Sequence, residues 1–177
     1  MTRWVGLVRN VMLGREGLSR DVLLDAVRSA GGVGPRSYLT TGNVTFDAPD
    51  DELDGVAERL EDAVGAVLGR REMVAVRSVG WLLDLVAVDR FAGYPGSAWA
   101  TEVAFLRHDA PPVTGSGLGD PRRTVLVDLL DREVLAARPV LGGARPHVNR
   151  LVEQATGRPA TTRGWGTLQR IAAAPGE

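Results

Sequence analysis

The order in which apolar residues change their spacing over the first 78 positions constrains this chain more than any other feature of it. WVGLVRN, Trp4 to Asn10, is a short run, β-branched at two positions, which suits a buried strand ending in polar residues. Gly14-Arg15-Glu16-Gly17 breaks the chain, and Ser19 is placed to cap a helix through SRDVLLDAVRSA, where Val22, Leu23, Ala26 and Val27 fall at helical spacing until Gly31-Gly32 stops it. SYLT and NVTF then flank Thr41-Gly42, where Gly can take the positive φ of a tight turn, so Ser37 to Asp47 reads as a hairpin.

Pro49-Asp50 ends that hairpin, and Leu53, Val56, Ala57, Leu60, Val64, Val67 and Leu68 mark one face of a long amphipathic helix. Met73 to Val76 is a further strand. The order is βαββαβ, and two βαβ halves of this kind interleave into a four-stranded antiparallel sheet backed by two helices, the ferredoxin-like arrangement. The expected boundary puts residues 1–78 in this unit and residues 79–177 in a second α+β unit.

In that second unit Ser78 caps a short helix from Val79 to Val86, and Pro95-Gly96-Ser97 opens a loop. Glu102 to Arg107, Thr124 to Asp128 and Glu133 to Ala137 read as strands. Pro146 stands where a first-turn proline would open a helix through Ala155 that Gly157 ends, and Thr161 or Thr162 is expected to cap a last helix carrying Trp165, Leu168 and Ile171. The spacing leaves the strand order of this half open.

Composition removes whole classes of chemistry. Of 177 residues 44% are apolar but only 5% aromatic, so Val, Leu and Ala must fill the core. All 21 basic residues are Arg, which excludes a Schiff-base lysine, a phosphate-loop lysine and a lysine general base. The absence of Cys excludes disulfides, thiolate nucleophiles and cysteine-ligated zinc. A net charge of −1 argues against a protein that holds nucleic acid by neutralising many phosphates. The first residues, MTRWVGLVRN, lack the layout of a cleavable signal, and no apolar run approaches the roughly 20 residues of a membrane span, so a cytoplasmic location is expected.

The pattern of strand, VRN-x-x-LG-x-x-G loop, helix and TTGN hairpin, with TTRGW near the end, resembles the uncharacterised bacterial family known as domain of unknown function 1697. Members typically run from a leucine-rich strand into Arg-Gly-Ile-Asn-Val-Gly-Gly, follow with a Tyr-x-x-Ser-Gly-Asn hairpin and finish with Thr-x-Arg-x-Trp-x-Thr. Arg9, Leu13, Gly14, Tyr38, Gly42, Asn43, Phe46, Thr161, Arg163, Trp165 and Thr167 occupy matching places. Asn10 stands where the family usually has Gly, Thr41 replaces the hairpin Ser, and Gly164 and Gly166 replace Asn. The resemblance implies an α+β fold of two ferredoxin-like units with antiparallel sheets packed together, and it supplies no reaction.

Topology nominates a site. If the first and third strands are antiparallel neighbours, Arg9-Asn10 sits beside Gly42-Asn43, and the helix that begins at Ser19 points its free amides at the same edge. Arg9, Asn10, Arg15, Gly42 and Asn43 are therefore candidates for holding a small anion, with Arg163 and Trp165 joining them if the last helix folds back. The competing structural reading has Gly42 turn the chain, Asn43 tolerate the hairpin conformation, Arg9 pair with an acid such as Glu16, Trp165 pack the last helix and Arg163 satisfy carbonyls.

Other motifs carry less. His108 and His147 are far apart and outside any ligand-spaced cluster, which argues against a metal site. Gly115 to Gly119 is followed by Asp120-Pro121 rather than a helix, and Ser116 lacks a nucleophile-elbow context. Tyr38 and Phe46 stand alone as aromatics on the second and third strands, and alternation puts Phe46 on the face of Val44, which reads as core rather than a base-stacking surface.

The expectation is a non-enzymatic module, without cofactor, that binds a small anionic ligand or a protein partner. Two alternatives stay open: a hydrolase or transferase acting on a phosphorylated metabolite through the same Arg cluster, and an RNA-binding ferredoxin-like module. Self-association also stays open, because sequence does not show whether a sheet face is exposed.

Overall fold

A computed structural model describes residues 1–115, 118, 124–140 and 148–174. The chain divides into two compact units, Met1–Leu82 and Leu83–Glu177. It is a mixed α+β protein with two four-stranded antiparallel sheets.

The first unit runs β1 (Thr2–Val8), α1 (Arg20–Ser29), β2 (Val33–Tyr38), β3 (Asn43–Ala48), α2 (Leu53–Leu68) and β4 (Val74–Ser78), with a short 3-10 turn at Asp50–Glu52 leading into α2. Its strand order is β2-β3-β1-β4, the order that two interleaved βαβ halves produce. Ser19 caps α1 as its position implied: the residue is extended and its Oγ accepts the Val22 N–H at 3.2 Å. Gly69, at φ 69°, ends α2 in the left-handed conformation that costs glycine least.

Alternation divides the residues of β1, β3 and β4 between the two faces of the sheet. Val8, Val44, Phe46, Val74 and Val76 join Leu23 and Val27 of α1 and Val56, Leu60 and Val64 of α2 in one buried cluster. The register sets this up, pairing Trp4 with Phe46 and Gly6 with Val44. Phe46 is fully buried, so the aromatic that a base-stacking sheet would present is in the core. Val67, counted on the apolar face of α2 by its spacing, is exposed, whereas Glu61 is buried.

α3 (Val79–Ala87) follows, with Ser78 Oγ accepting the Trp81 N–H at 3.0 Å. The second unit then runs β5 (Trp99–Leu106), β6 (Val125–Leu129), β7 (Glu133–Pro139), α4 (Val148–Thr156), β8 (Ala160–Gly164) and α5 (Trp165–Ala172). Its sheet order, β6-β7-β5-β8, repeats that of the first: the opening strand lies centrally between the third and the fourth, and the second is at an edge. The strand order that spacing left open is thereby settled. Val134, Ala136, Val148, Val152 and Ala160 pack together between this sheet and α4.

The expected cap of the last helix is overturned. Thr161 and Thr162 cap no helix; they lie in β8, paired with Phe105 and Ala104 of β5. Two β-branched residues fit a strand as readily as a cap, and the pairing with β5 decides between them. α5 starts at Trp165 with the extended Gly164 as its N-cap. Pro146, His147, Ser116, Gly117, Gly119, Asp120 and Pro121 lie outside the described residues.

Among the described residues no helix is long and apolar enough to cross a membrane.

Candidate functional site

β1 and β3 pair antiparallel with Leu7 opposite Asn43, and the Val8 N–H donates to Gly42 O at 2.9 Å. The end of β1 thus lies beside the turn of the hairpin. β4 lies on the other side of β1, and the Arg9 N–H donates to Met73 O at 2.9 Å. Residues 9–10 therefore stand between residues 42–43 and 72–73.

The loop that follows is held by its own backbone and by the hairpin. Leu13 N–H donates to Thr40 O at 2.7 Å, Gly14 N–H to Leu18 O at 2.9 Å and Leu18 N–H to Arg15 O at 3.0 Å, while the Leu18 side chain is fully buried. Asn10, Glu16 and Leu39 all have positive φ, at 53°, 51° and 57°. Asn10 thus occupies a conformation that glycine takes freely and asparagine tolerates better than most residues, which accounts for Asn where the family usually has Gly.

Arg9 does not pair with Glu16. Its NH1 donates to Glu72 Oε2 at 2.9 Å, and Asn10 Nδ2 donates to the same oxygen at 3.4 Å. Glu72 Oε1 accepts Arg70 Nε at 2.9 Å. Glu16 pairs instead with Arg70, whose NH1 and NH2 reach its two carboxylate oxygens at 2.7 and 3.0 Å. The Arg70 hydrogen bonds hold the Glu16 carboxyl below the usual carboxylate range. Arg15 is exposed and makes no ion pair among the described residues.

Gly42 and Asn43 shape the turn. Gly42 has φ 68°, and a β-carbon there would overlap Val11 and stand 3.0 Å from Val8 Cβ. Asn43 is fully buried, its Nδ2 donating to Tyr38 O at 2.9 Å and Thr41 Oγ1 at 3.1 Å. A side chain so placed closes the hairpin.

Arg163 and Trp165 belong to the second unit. Arg163 is buried, its NH1 donates to Thr161 Oγ1 at 2.8 Å and Thr162 O at 2.9 Å, and burial lowers its pKa to about 10. Trp165 is buried edge-on against Phe91, ring centroids 5.1 Å apart.

Sequence reasoning missed Glu72 and Arg70. Arg70-Arg71-Glu72 is a short charge run after a helix, and its one signal is that Glu72 stands two residues before β4. Among the described residues no group of three or more His, Cys, Asp or Glu is placed to hold a metal ion.

Two compact units with repeated strand order, and a loop end built from paired Arg and Glu side chains, define a two-unit α+β protein. The model of the family described as "Protein of unknown function (DUF1697)" matches residues 1–124, and the chain belongs to that family. Among solved structures it is similar to the conserved bacterial protein SP0830 from Streptococcus pneumoniae, with a TM-score of 0.64 and 16% identity over 97% of each chain. That likeness is one of fold. No curated protein matches.

Proposed function

We propose that the chain is a non-enzymatic binding module whose ligand is a small anion, held at the loop end of the first unit. The observation that carries this reading is the concentration of Arg9, Arg15 and Arg70 around one loop, with Arg15 exposed and without an ion pair among the described residues. An exposed guanidinium whose charge no carboxylate answers is available to an oxyanion from solution.

The geometry gives the enzyme alternative little support. Of the carboxylates at this end, Glu16 is held as its anion by Arg70, which makes it a poor general base, and both oxygens of Glu72 are taken by Arg9 and Arg70. The nearby hydroxyls have structural partners, Ser19 Oγ the Val22 amide and Thr41 Oγ1 the Asn43 amide. The burial of Phe46 likewise counts against RNA stacking.

Thermal denaturation at low salt with inorganic phosphate, nucleotides and di- and tricarboxylates, repeated on Arg15→Gln, tests the proposal. A midpoint that rises with ligand concentration in the wild type and not in the variant supports it. Equal shifts in both proteins, or none with any compound, overturn it.

A further inference from the structure

Arg70 is held by two carboxylates of opposite character. Glu72, its side chain 5% exposed, takes Nε from behind, and its other oxygen is tied to Arg9. Glu16, 51% exposed, takes the outward NH1 and NH2 in a two-point grip. The first contact fixes the plane of the guanidinium. The second covers the edge of the fork that faces solvent.

Three observations mark the Glu16 grip as exchangeable. An ion pair this exposed is weakened by water and salt, so it yields easily to a competitor. Glu16 stands on a backbone at φ 51°, and its side chain can swing away by rotation about its own bonds without moving that backbone. A surface depression of about 320 Å³, lined by Asp62, Gly65, Ala66, Gly69, Arg70 and Arg71, shares Arg70 with the grip. It offers room for the body of a small molecule whose acidic group rests on the fork.

We propose that Glu16 is a built-in stand-in for a ligand's oxyanion: a small carboxylate or phosphate compound displaces it from Arg70 and seats its remainder in the depression beside that residue. The inference rests on the anion-binding reading above, in which Arg15 adds its charge at the same loop, and adds to it Arg70 as the group that grips the oxyanion and Glu16 as a competing internal anion. A carboxylate fits the fork in the bidentate manner that Glu16 shows, and a phosphate offers the same pair of acceptors. Arg9 shares Glu72 with Arg70, and Asp62 and Arg71 line the depression beside it. Arg71 is itself bonded to Glu61 and Asp62, so Arg70 is the guanidinium released when Glu16 leaves.

The test is titration calorimetry at low ionic strength with succinate, citrate and inorganic phosphate on wild type, Glu16→Gln, Glu16→Gly and the double variant Glu16→Gly/Arg70→Lys. Glycine is at ease at φ 51°, so Glu16→Gly keeps the fold while removing the carboxylate. Removing an internal competitor of this strength should tighten binding about threefold to fivefold in both single variants. Arg70→Lys, which keeps charge but not the fork, should abolish the gain. Carboxylates that gain while phosphate does not assign the site to a carboxylate, and the reverse to a phosphate. If wild type binds but the Glu16 variants bind no better, the stand-in idea fails and the anion-binding reading survives. If no protein binds any compound, both fail.

Discussion

Arg9 NH1 lies 2.9 Å from Glu72 Oε2, and the carboxylate is the buried member of the pair: the Glu72 side chain is 5% exposed, that of Arg9 22%. Glu72 is thus the hub on which Arg9, Asn10 and Arg70 converge. Removing such a hub leaves its donors with an unanswered charge in a partly desolvated place. Glu72→Ala should destabilise the protein by about 2 kcal/mol, less than a fully buried pair because both arginines reach solvent. Glu16→Ala should leave the unfolding midpoint close to that of the wild type, because its pair with Arg70 is exposed. Urea unfolding of the two variants decides it, and equal losses would mean that Glu72 is not the hub.

Gly42 supplies a second test, because two glycines in the same region differ in what surrounds them. A β-carbon at Gly42 would overlap Val11 and crowd Val8 Cβ at 3.0 Å, on a backbone at φ 68°. Gly14 has φ 87° with nothing within 4 Å of the same position. Gly14→Ala should cost about 1 kcal/mol, the conformational penalty alone, and Gly42→Ala about 2 to 3 kcal/mol because the overlap is added. Measured unfolding free energies that agree within error would remove steric crowding as the reason for glycine in the turn.

Much of the first unit was legible because its signals are local. Ser19 precedes an apolar helical repeat and caps it, and Gly42 falls between two β-rich runs and turns them. What escaped depends on partners distant in sequence. The β1–β4 register, with Val8 opposite Val74, brings residue 9 to residue 72, and no nearby spacing reports a meeting across some sixty positions. β8 escaped for a related reason: Ala-Thr-Thr-Arg-Gly is short and only weakly apolar, so its identity as a strand comes from β5 beside it. Arg9 and Asn43 were found as motif residues, but whether such a residue faces ligand or core depends on burial. Asn43 is buried and bonded within the hairpin, which leaves the exposed part of the candidate set to Asn10 and Arg15, with Arg9 half-buried behind them.

A likeness between the two units yields a third prediction. α2 precedes β4 and α4 precedes β8 at equivalent places in the two sheet orders, and each helix sends a glutamate to the first amides of the edge strand. Glu61 Oε1 accepts the Val74 N–H at 3.0 Å, and Glu153 Oε1 accepts the Ala160 N–H at 3.0 Å. An edge amide without such an acceptor opens to water or to another chain. In Glu61→Ala the Val74 amide should exchange with solvent about tenfold faster, and in Glu153→Ala the Ala160 amide should do so, each with little change in the other unit. Unchanged exchange at both amides would show that the glutamates do not guard the edges.

Arg163 gives the protein a dependence on alkaline pH whose sign follows from burial. Its charged form is disfavoured by desolvation, which lowers its pKa in the folded chain to about 10 from the usual arginine range. Above pH 10 the folded protein binds fewer protons at this site than the unfolded chain, so stability contributed by Arg163 rises with pH through that region. Conversely it is lost as pH falls through about 10 and stays reduced at neutrality. The chain has no lysine, so the usual alkaline titration does not mask the effect, and its two tyrosines are common to wild type and variant. The unfolding free energy of wild type minus that of Arg163→Met should therefore climb between pH 9 and 11, reading roughly flat from pH 7 to 9. A flat difference across the whole interval would mean that the Arg163 guanidinium keeps its ordinary affinity for the proton in the fold, and that the hydrogen bonds to Thr161 and Thr162 offset its burial.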